Sequence, residues 1–162
     1  MNITTFRIDD RLIHGQVAMA WTRDLGIQGI MVADDEAAAN EMQKMTLKMA
    51  VPDGIKCIIK TVPEIIALLN NPRSEGMRIL VRVKTVKNAL EGYKAVPGIE
   101  YVNIGNAGRF TSGDGTERTI ISRSVSLTPD EVEALKELAA LAPDTALQMV
   151  PSDEKKLVSE VL

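Results

Sequence analysis

The chain has 162 residues, of which 45% are hydrophobic, 25% charged and 3% aromatic, and its formal net charge is −3. This size and balance are typical of one globular domain, which we expect to span residues 1–162. An acidic chain with so few aromatic rings lacks the basic field and the stacking surfaces of nucleic-acid-binding proteins. No apolar run reaches the length of a membrane span, and the N-terminus lacks the pattern of a signal peptide. The single cysteine, Cys57, fits a reducing cytoplasm, so we predict a cytoplasmic protein.

Short runs rich in Ile and Val alternate with amphipathic segments along most of the chain. The six predicted strands are ITTFRI (3–8), GIMVA (29–33), IKCII (55–59), RILVRV (78–83), YVNI (101–104) and ALQMV (146–150). Runs of this kind are typical of strands that are covered on both faces. Their alternation with helices predicts an α/β fold: an open, mainly parallel sheet with helices on both faces. The segment 105–128 breaks the alternation, and a hairpin or a strand of opposite direction there would make the sheet mixed.

Helical patterns fill the intervals between the predicted strands. TVPE (61–64) and TPDE (128–131) are capping boxes and predict two helix starts. Ser152 is predicted to cap a last helix. Residues 36–49 carry methionines at helical spacing, which we interpret as a buried stripe. These methionines are Met42, Met45 and Met49.

The segment RIDDRLIHGQV (7–17) holds the only histidine of the chain, His14. Ligands of parallel α/β sheets bind at the carboxyl ends of the strands, and this segment follows the first predicted strand. His14 would lie at the amino end of a helix beginning near Gly15, where N–H groups favour an anion and glycine leaves room for one. Because neutral imidazole is a nucleophile, the position suits either a phosphorylated histidine or a simple helix cap.

The charges around His14 favour a phosphate site. Arg11 and the helix amides would stabilise a phosphoryl group on the imidazole. Asp9 or Asp10 would accept a hydrogen bond from the second ring nitrogen and so fix the tautomer. From the residues alone, a reaction centre and a binding pocket for a phosphorylated ligand are both compatible with this pattern.

Other chemistries have less support in the sequence. One histidine and one cysteine exclude a zinc site built on several such ligands. The chain also lacks the glycine motifs of nucleotide-binding loops and the serine elbow of hydrolases. Asp34, Asp35 and Glu36 offer carboxylates to a divalent cation, as in a metal-dependent phosphatase, although acids at a helix start explain them more simply. We therefore expect neither a metal nor a cofactor.

RIDDRLIHGQV, followed by a tryptophan, resembles the active-site segment of the IIB subunits of the mannose/fructose/sorbose class of the bacterial phosphoenolpyruvate-dependent sugar phosphotransferase system. Three further segments are similar to this family: GIMVADDEAAAN (29–40), VRVKT (81–85) and YVNIGNAG (101–108). Together the four segments extend over most of the chain. Ala107 departs from the family pattern, since many members carry a methionine there.

The resemblance implies an open α/β domain whose first loop carries a phosphorylated histidine. That residue is His14, which would accept a phosphoryl group on Nδ1 from a IIA partner and pass it to a sugar entering through the membrane IIC and IID subunits. Arg11 matches the arginine that assists the phosphoryl group, and Asp9, Asp10 and Gly15 belong to the same loop. The implied activity is that of a phosphohistidine–sugar phosphotransferase at the inner face of the membrane. The alternative is a non-catalytic regulatory module that binds a phosphorylated ligand at the same helix end.

Overall fold

The computed structural model describes residues 2–11, 15–74, 76–108 and 118–162, which contain nine strands. They are β1 (Asn2–Asp9), β2 (Gly29–Ala33), β3 (Lys56–Lys60), β4 (Arg78–Val83), β5 (Val102–Asn106), β6 (Thr119–Ser122), β7 (Val125–Leu127), β8 (Ala146–Leu147) and β9 (Lys156–Leu157). Seven of these described strands form one sheet in the order β3-β2-β4-β1-β5-β8-β9. The pairs are parallel except for β8 and β9, which run antiparallel.

The predicted α/β architecture with a mainly parallel, mixed sheet is confirmed. The bounds of β2 and β4 coincide with the predicted runs, and those of β1, β3 and β5 differ by one or two residues. The segment 105–128 does contain a hairpin, formed by β6 and β7, but this hairpin is a separate two-stranded sheet. The strand that makes the main sheet mixed is instead β9. The strand predicted over 146–150 is short, because residues 148 and 149 turn their carbonyl groups toward a buried arginine, Arg7.

Helices cover both faces of the sheet. One face carries α1 (Gly15–Leu25), α2 (Asp35–Ala38) and α3 (Glu41–Met49), and the other carries α4 (Val62–Leu69), α5 (Val86–Ala95), α6 (Pro129–Leu141) and α7 (Val158–Val161). Within the described ranges, no helix is both long enough and apolar enough to cross a bilayer. We call the apolar space beneath α1–α3 the first layer and that beneath α4–α7 the second layer.

Alternate residues of the central strands fill the two layers, as the pleat requires. In β4, for example, Leu80 lies in the first layer and Val81 in the second. The indole of Trp21 on α1 is buried in the first layer. Two cationic side chains break this apolar pattern, because Arg7 of β1 and Arg82 of β4 are both fully buried. A buried guanidinium requires compensating partners, so these two positions mark an unusual region of the sheet.

The helix starts follow the capping signals, with one exception. Thr61 and Thr128 each form a complete capping box with the glutamate three residues later. The last helix does not begin at Ser152, and that prediction was wrong. Residues 156 and 157 first pair with β8, and α7 follows without a side-chain cap.

The interpretation of the methionines in residues 36–49 as a buried stripe was also wrong. Asn40 caps α3 and divides the region into two helices. The buried residue of α3 is Leu47, which is two residues from both Met45 and Met49, about 200° around a helix of about 3.6 residues per turn. Burial of Leu47 therefore turns the methionines outward. Their exposed fractions are 79% for Met42, 66% for Met45 and 81% for Met49.

Replacement of Thr128 by alanine tests the start of α6. The Thr128 hydroxyl accepts a hydrogen bond from the backbone N–H of Glu131 at 3.4 Å, and the Glu131 carboxylate accepts one from the Thr128 N–H at 3.4 Å. We expect Thr128→Ala to lower the free energy of unfolding by about 1 kcal/mol, measured by urea denaturation. The control is Thr46→Ala in the exposed interior of α3. An equal decrease in the free energy of unfolding of both variants would show that the capping box does not stabilise the start of α6.

Candidate functional site

The segment that carries the predicted site connects β1 to α1 at the carboxyl edge of the sheet. β1 ends at Asp9 and α1 begins at Gly15. β1 lies between β4 and β5, so the ends of these three strands meet at this edge, where Asp9 is paired with Asn106. His14 lies outside the described residues, as do residues 12 and 13.

Asp9 is the centre of a buried group of charges. Its Oδ2 atom lies 3.4 Å from Arg7 Nη2 and 3.6 Å from Arg82 Nη1, and its Oδ1 atom lies 3.3 Å from Arg11 Nε. The side chains of Arg7, Asp9 and Arg82 are 0% exposed, whereas that of Arg11 is 20% exposed. We call these four residues the Asp9 cluster. Three guanidinium groups and one carboxylate leave it with two excess positive charges.

Burial changes the acidity of the two inner arginines but not their charge at neutral pH. Desolvation lowers the pKa of Arg7 to about 10, although the nearby Asp9 opposes the shift. Desolvation, followed by repulsion from Arg7, lowers the pKa of Arg82 to about 9. Both values are above 7, so both groups are cationic under physiological conditions. Because these charges are held out of water, salt screens their field less than it screens surface charges.

Arg11 is the member of the cluster that reaches solvent. Its backbone N–H donates to Asp9 Oδ1 at 3.0 Å, and its Nη2 donates to Asp9 Oδ2 at 3.4 Å. The amide oxygen of Asn106, in the orientation that satisfies both groups, accepts from Arg11 Nε at 3.2 Å and from Nη2 at 2.6 Å. The guanidinium is therefore held from two sides, just before the loop that contains His14.

The segment after β8 forms one wall of the Asp9 cluster. Arg7 donates from Nη1 to the Gln148 carbonyl and from Nη2 to the Met149 carbonyl, both at 2.9 Å. The Asn103 amide also donates to the Gln148 carbonyl, at 3.0 Å, and Trp21 Nε1 donates to the Met149 carbonyl at 2.9 Å. The Arg7 guanidinium carbon lies 5.3 Å from the centre of the Trp21 ring, which is a cation–π distance.

The residues NIGN (103–106) of β5 are fitted to this cluster. A Cβ atom at Gly105 would overlap the Arg7 guanidinium, so a side chain there would displace the arginine. The Asn106 amide contacts Arg11, and the Asn103 amide shares the Gln148 carbonyl with Arg7. Ala107, where the sequence departs from the family pattern, is buried, and its N–H donates to the Ser124 carbonyl of the hairpin at 2.9 Å. The structure therefore gives a physical reason for the N-x-G-N pattern.

The remaining predicted loop residues lie beside the cluster. The Asp10 backbone N–H donates to the Asn106 carbonyl at 3.1 Å, which fixes the start of the loop against β5. Gly15 is exposed at the first turn of α1. A Cβ atom on Gly15 would lie 3.9 Å from the Ala50 carbonyl oxygen, an ordinary contact distance. The first turn of α1 thus lies next to the end of α3.

Asp34, Asp35 and Glu36 have separate structural partners. Asp34 caps α2 by accepting a backbone N–H at 2.9 Å, and Asp35 accepts the first N–H of α4 at 2.9 Å. Glu36 lies 3.5 Å from the ammonium group of Lys84. Among the residues that the structure describes, no three potential metal ligands converge. These contacts favour the interpretation of the three acids as helix-start residues.

Four residues that contribute to the site were not predicted from the sequence: Arg7, Arg82, Asn103 and Gly105. A signal for the two arginines was present, since each is a charge with an apolar residue on either side, one position before the end of a predicted strand. In a strand covered on both faces such a charge has no route to water, which indicates a buried partner. The aspartate that closes β1 was the available anion.

Comparisons with known proteins identify the family. The model of the PTS system sorbose subfamily IIB component matches residues 3–162. A probable phosphotransferase enzyme IIB component of Streptococcus pyogenes serotype M6 is 45% identical over 161 residues, which cover 99% of each chain. The mannose-specific EIIAB component of Escherichia coli K12 is 31% identical over 165 residues, which cover 100% of this chain and 49% of that protein. The solved IIBSor domain of the Klebsiella pneumoniae sorbose permease superposes with a TM-score of 0.88 at 28% identity, covering 99% of this chain and 95% of that one.

The chain therefore belongs to the sorbose subfamily of IIB components of the sugar phosphotransferase system. The resemblance seen in the sequence is confirmed, as is the assignment to a phosphotransferase system that acts in sugar transport. IIB components of this kind are phosphotransferases of that system.

The charge balance of the Asp9 cluster predicts different outcomes for two substitutions. Asp9→Asn removes the only anion of the cluster and leaves three cations facing each other, so we expect the free energy of unfolding to fall by about 3–5 kcal/mol. Arg82→Met replaces a desolvated cation by an apolar side chain and removes its repulsion with Arg7. We expect Arg82→Met to lower the free energy of unfolding by at least about 2 kcal/mol less than Asp9→Asn does.

Chemical denaturation of both variants and the wild type measures these differences. If Arg82→Met were as destabilising as Asp9→Asn, the cluster would be a balanced ion network rather than one with excess positive charge.

Proposed function

We propose that this chain is a phosphocarrier in which His14 accepts a phosphoryl group from a phosphohistidine of a IIA protein and donates it to a sugar. The sugar enters through the membrane IIC and IID subunits, and the chain works in the cytoplasm, attached to the inner membrane face through them. The observation that carries this proposal is the buried excess of positive charge around Asp9, directly before the loop that holds the only histidine. Membership of the IIB family supports it independently.

The reaction consists of two transfers of the same group. First, Nδ1 of neutral His14 forms a bond to phosphorus while the N–P bond to the donor histidine breaks. Second, a sugar hydroxyl oxygen forms a P–O bond, the N–P bond to His14 breaks and the hydroxyl proton is released to solvent. The group carries negative charge throughout, so a fixed positive field stabilises it without rearrangement of the protein.

The contacts suggest a division of work among the loop residues. Arg11 is the exposed guanidinium, and its planar donors suit phosphoryl oxygens. Asp9 already forms ion pairs with three arginines, so we assign it the positioning of Arg11. The hydrogen bond to the second imidazole nitrogen then falls to Asp10, which follows it in the loop. Gly15 begins α1, whose first N–H groups are available to the phosphoryl oxygens.

Phosphorylation of the purified protein tests the nucleophile. With phosphoenolpyruvate, the general phosphotransferase proteins and a IIA protein of the same organism, we expect one phosphate per chain that is labile in acid and stable in base. His14→Ala should carry none. Label retained by that variant would reject His14, and no label on the wild type with several IIA partners would favour the non-catalytic regulatory module.

Replacement of Arg11 tests the stabilising cation. We expect Arg11→Ala to slow phosphorylation by IIA on the order of 10²-fold, because it removes a donor aimed at the transferred group. The phosphorylation rate of Arg11→Lys should lie between the rates of Arg11→Ala and the wild type, since lysine restores the positive charge without the planar guanidinium. Arg73→Ala, an exposed arginine between α4 and β4, is the control. Equal rates for Arg11→Ala and Arg73→Ala would remove Arg11 from the mechanism.

A further inference from the structure

The outward side of α3 is an apolar surface bordered by positive charge. We call it the methionine face and define it as Met42, Met45, Met49, Lys44 and Lys48. The three methionines are between 66% and 81% exposed, which is unusual for large apolar side chains that lie together. Lys44 and Lys48 lie one turn apart beside them, and Lys44 is 3.3 Å from Glu41. Methionine side chains are flexible and polarisable, and they are common where a surface must adapt to a partner.

The methionine face adjoins the candidate site. α3 ends at Met49, and the carbonyl oxygen of the next residue, Ala50, lies within contact distance of the position of a Cβ atom on Gly15. Gly15 directly follows His14 in the sequence. The end of α3 and the first turn of α1 therefore share one stretch of surface, and a protein that approaches residue 14 from this side meets Met49.

The lysines beside the methionines determine which charge on a partner protein would be complementary to this surface. Lys48 is exposed, and its ammonium group is close enough to the thiol of Cys57 on the edge strand β3 to oppose the rise in pKa that burial causes there. Lys44 and Lys60 act in the same way on the carboxylate of Glu64, whose pKa is lowered mainly by hydrogen bonds from Thr61. Lys44, Lys48 and Lys60 thus lie along α3 and the adjoining edge of the sheet, where Glu41 and Glu64 also lie. With three lysines and two glutamates the border carries a small excess of positive charge, so a complementary partner would have an apolar centre and a mainly acidic border.

We propose that the methionine face is the docking surface for the IIA phosphodonor. This proposal rests on the function proposed above, because direct transfer requires the donor histidine to come within bonding distance of His14. A IIA surface centred on the donor histidine would also cover the part of this chain beside the loop. There α3 presents an apolar surface. Contact through adaptable methionines and a few charges suits a complex that must dissociate after each transfer.

Methyl NMR locates the contact directly. In protein labelled with ¹³C at the methionine methyl groups, addition of the unphosphorylated IIA protein of the same organism should shift the signals of Met42, Met45 and Met49. Met77 packs against the second layer and serves as the internal control. Its signal should stay in place.

Transfer kinetics supply the second measurement. The triple variant Met42→Gln, Met45→Gln and Met49→Gln keeps the helix-forming side chains but removes the apolar surface. We expect its KM for phospho-IIA to rise at least tenfold with kcat unchanged. Leu141→Gln, at the exposed end of α6, is the matched control and should leave both constants unchanged.

The outcomes separate the docking proposal from the proposed function. If the wild type is phosphorylated on His14 but the methionine signals do not shift and the triple variant keeps its KM, the docking proposal is overturned. It is also overturned if the KM for phospho-IIA is unchanged while the variant loses self-association or transfer to the membrane subunits, since the face then serves one of those partners. Absence of phosphate on wild-type His14 would instead reject the proposed function.

Discussion

The carboxylate of Asp9 is the interaction on which the site depends. It holds three guanidinium groups that come from β1, β4 and the loop before α1, and the chain around them is adapted to that arrangement. Residue 105 has no side chain because Arg7 occupies the space, and the strand after α6 stops early because its carbonyl groups accept from the same arginine. The order β4-β1-β5 makes the cluster possible, since it brings these chain segments side by side.

A cluster of three guanidinium groups around one carboxylate is a poor way to gain stability. Desolvation of a cation is costly, and replacement of buried ionic groups by apolar ones is often neutral or stabilising. The arrangement makes physical sense if a negative group joins the cluster during function. A phosphoryl group on the adjoining loop is such a group, and it would meet a field that is already in place. The conflict with ordinary core composition therefore indicates function.

Much of the fold could be predicted from the sequence, because strands covered on both faces and capping boxes are local signals. The bounds of β2 and β4 and the starts of α4 and α6 follow from them. The Asp9 cluster is different, since Arg82 meets Arg7 and Asp9 only after β1 and β4 are in register, which periodicity alone does not show. The methionines of α3 were misassigned for a related reason. Their spacing indicates a helix, but only the packing of Leu47 fixes which side faces the sheet.

The central claim is that the Asp9 cluster sets the electrostatic potential at the histidine loop. The direct test is the rate at which phospho-IIA phosphorylates Arg82→Met, measured beside the wild type at equal concentrations of folded protein. The account predicts a slower rate in the variant, because one buried positive charge no longer stabilises the anionic group. Equal rates in the two proteins would contradict it.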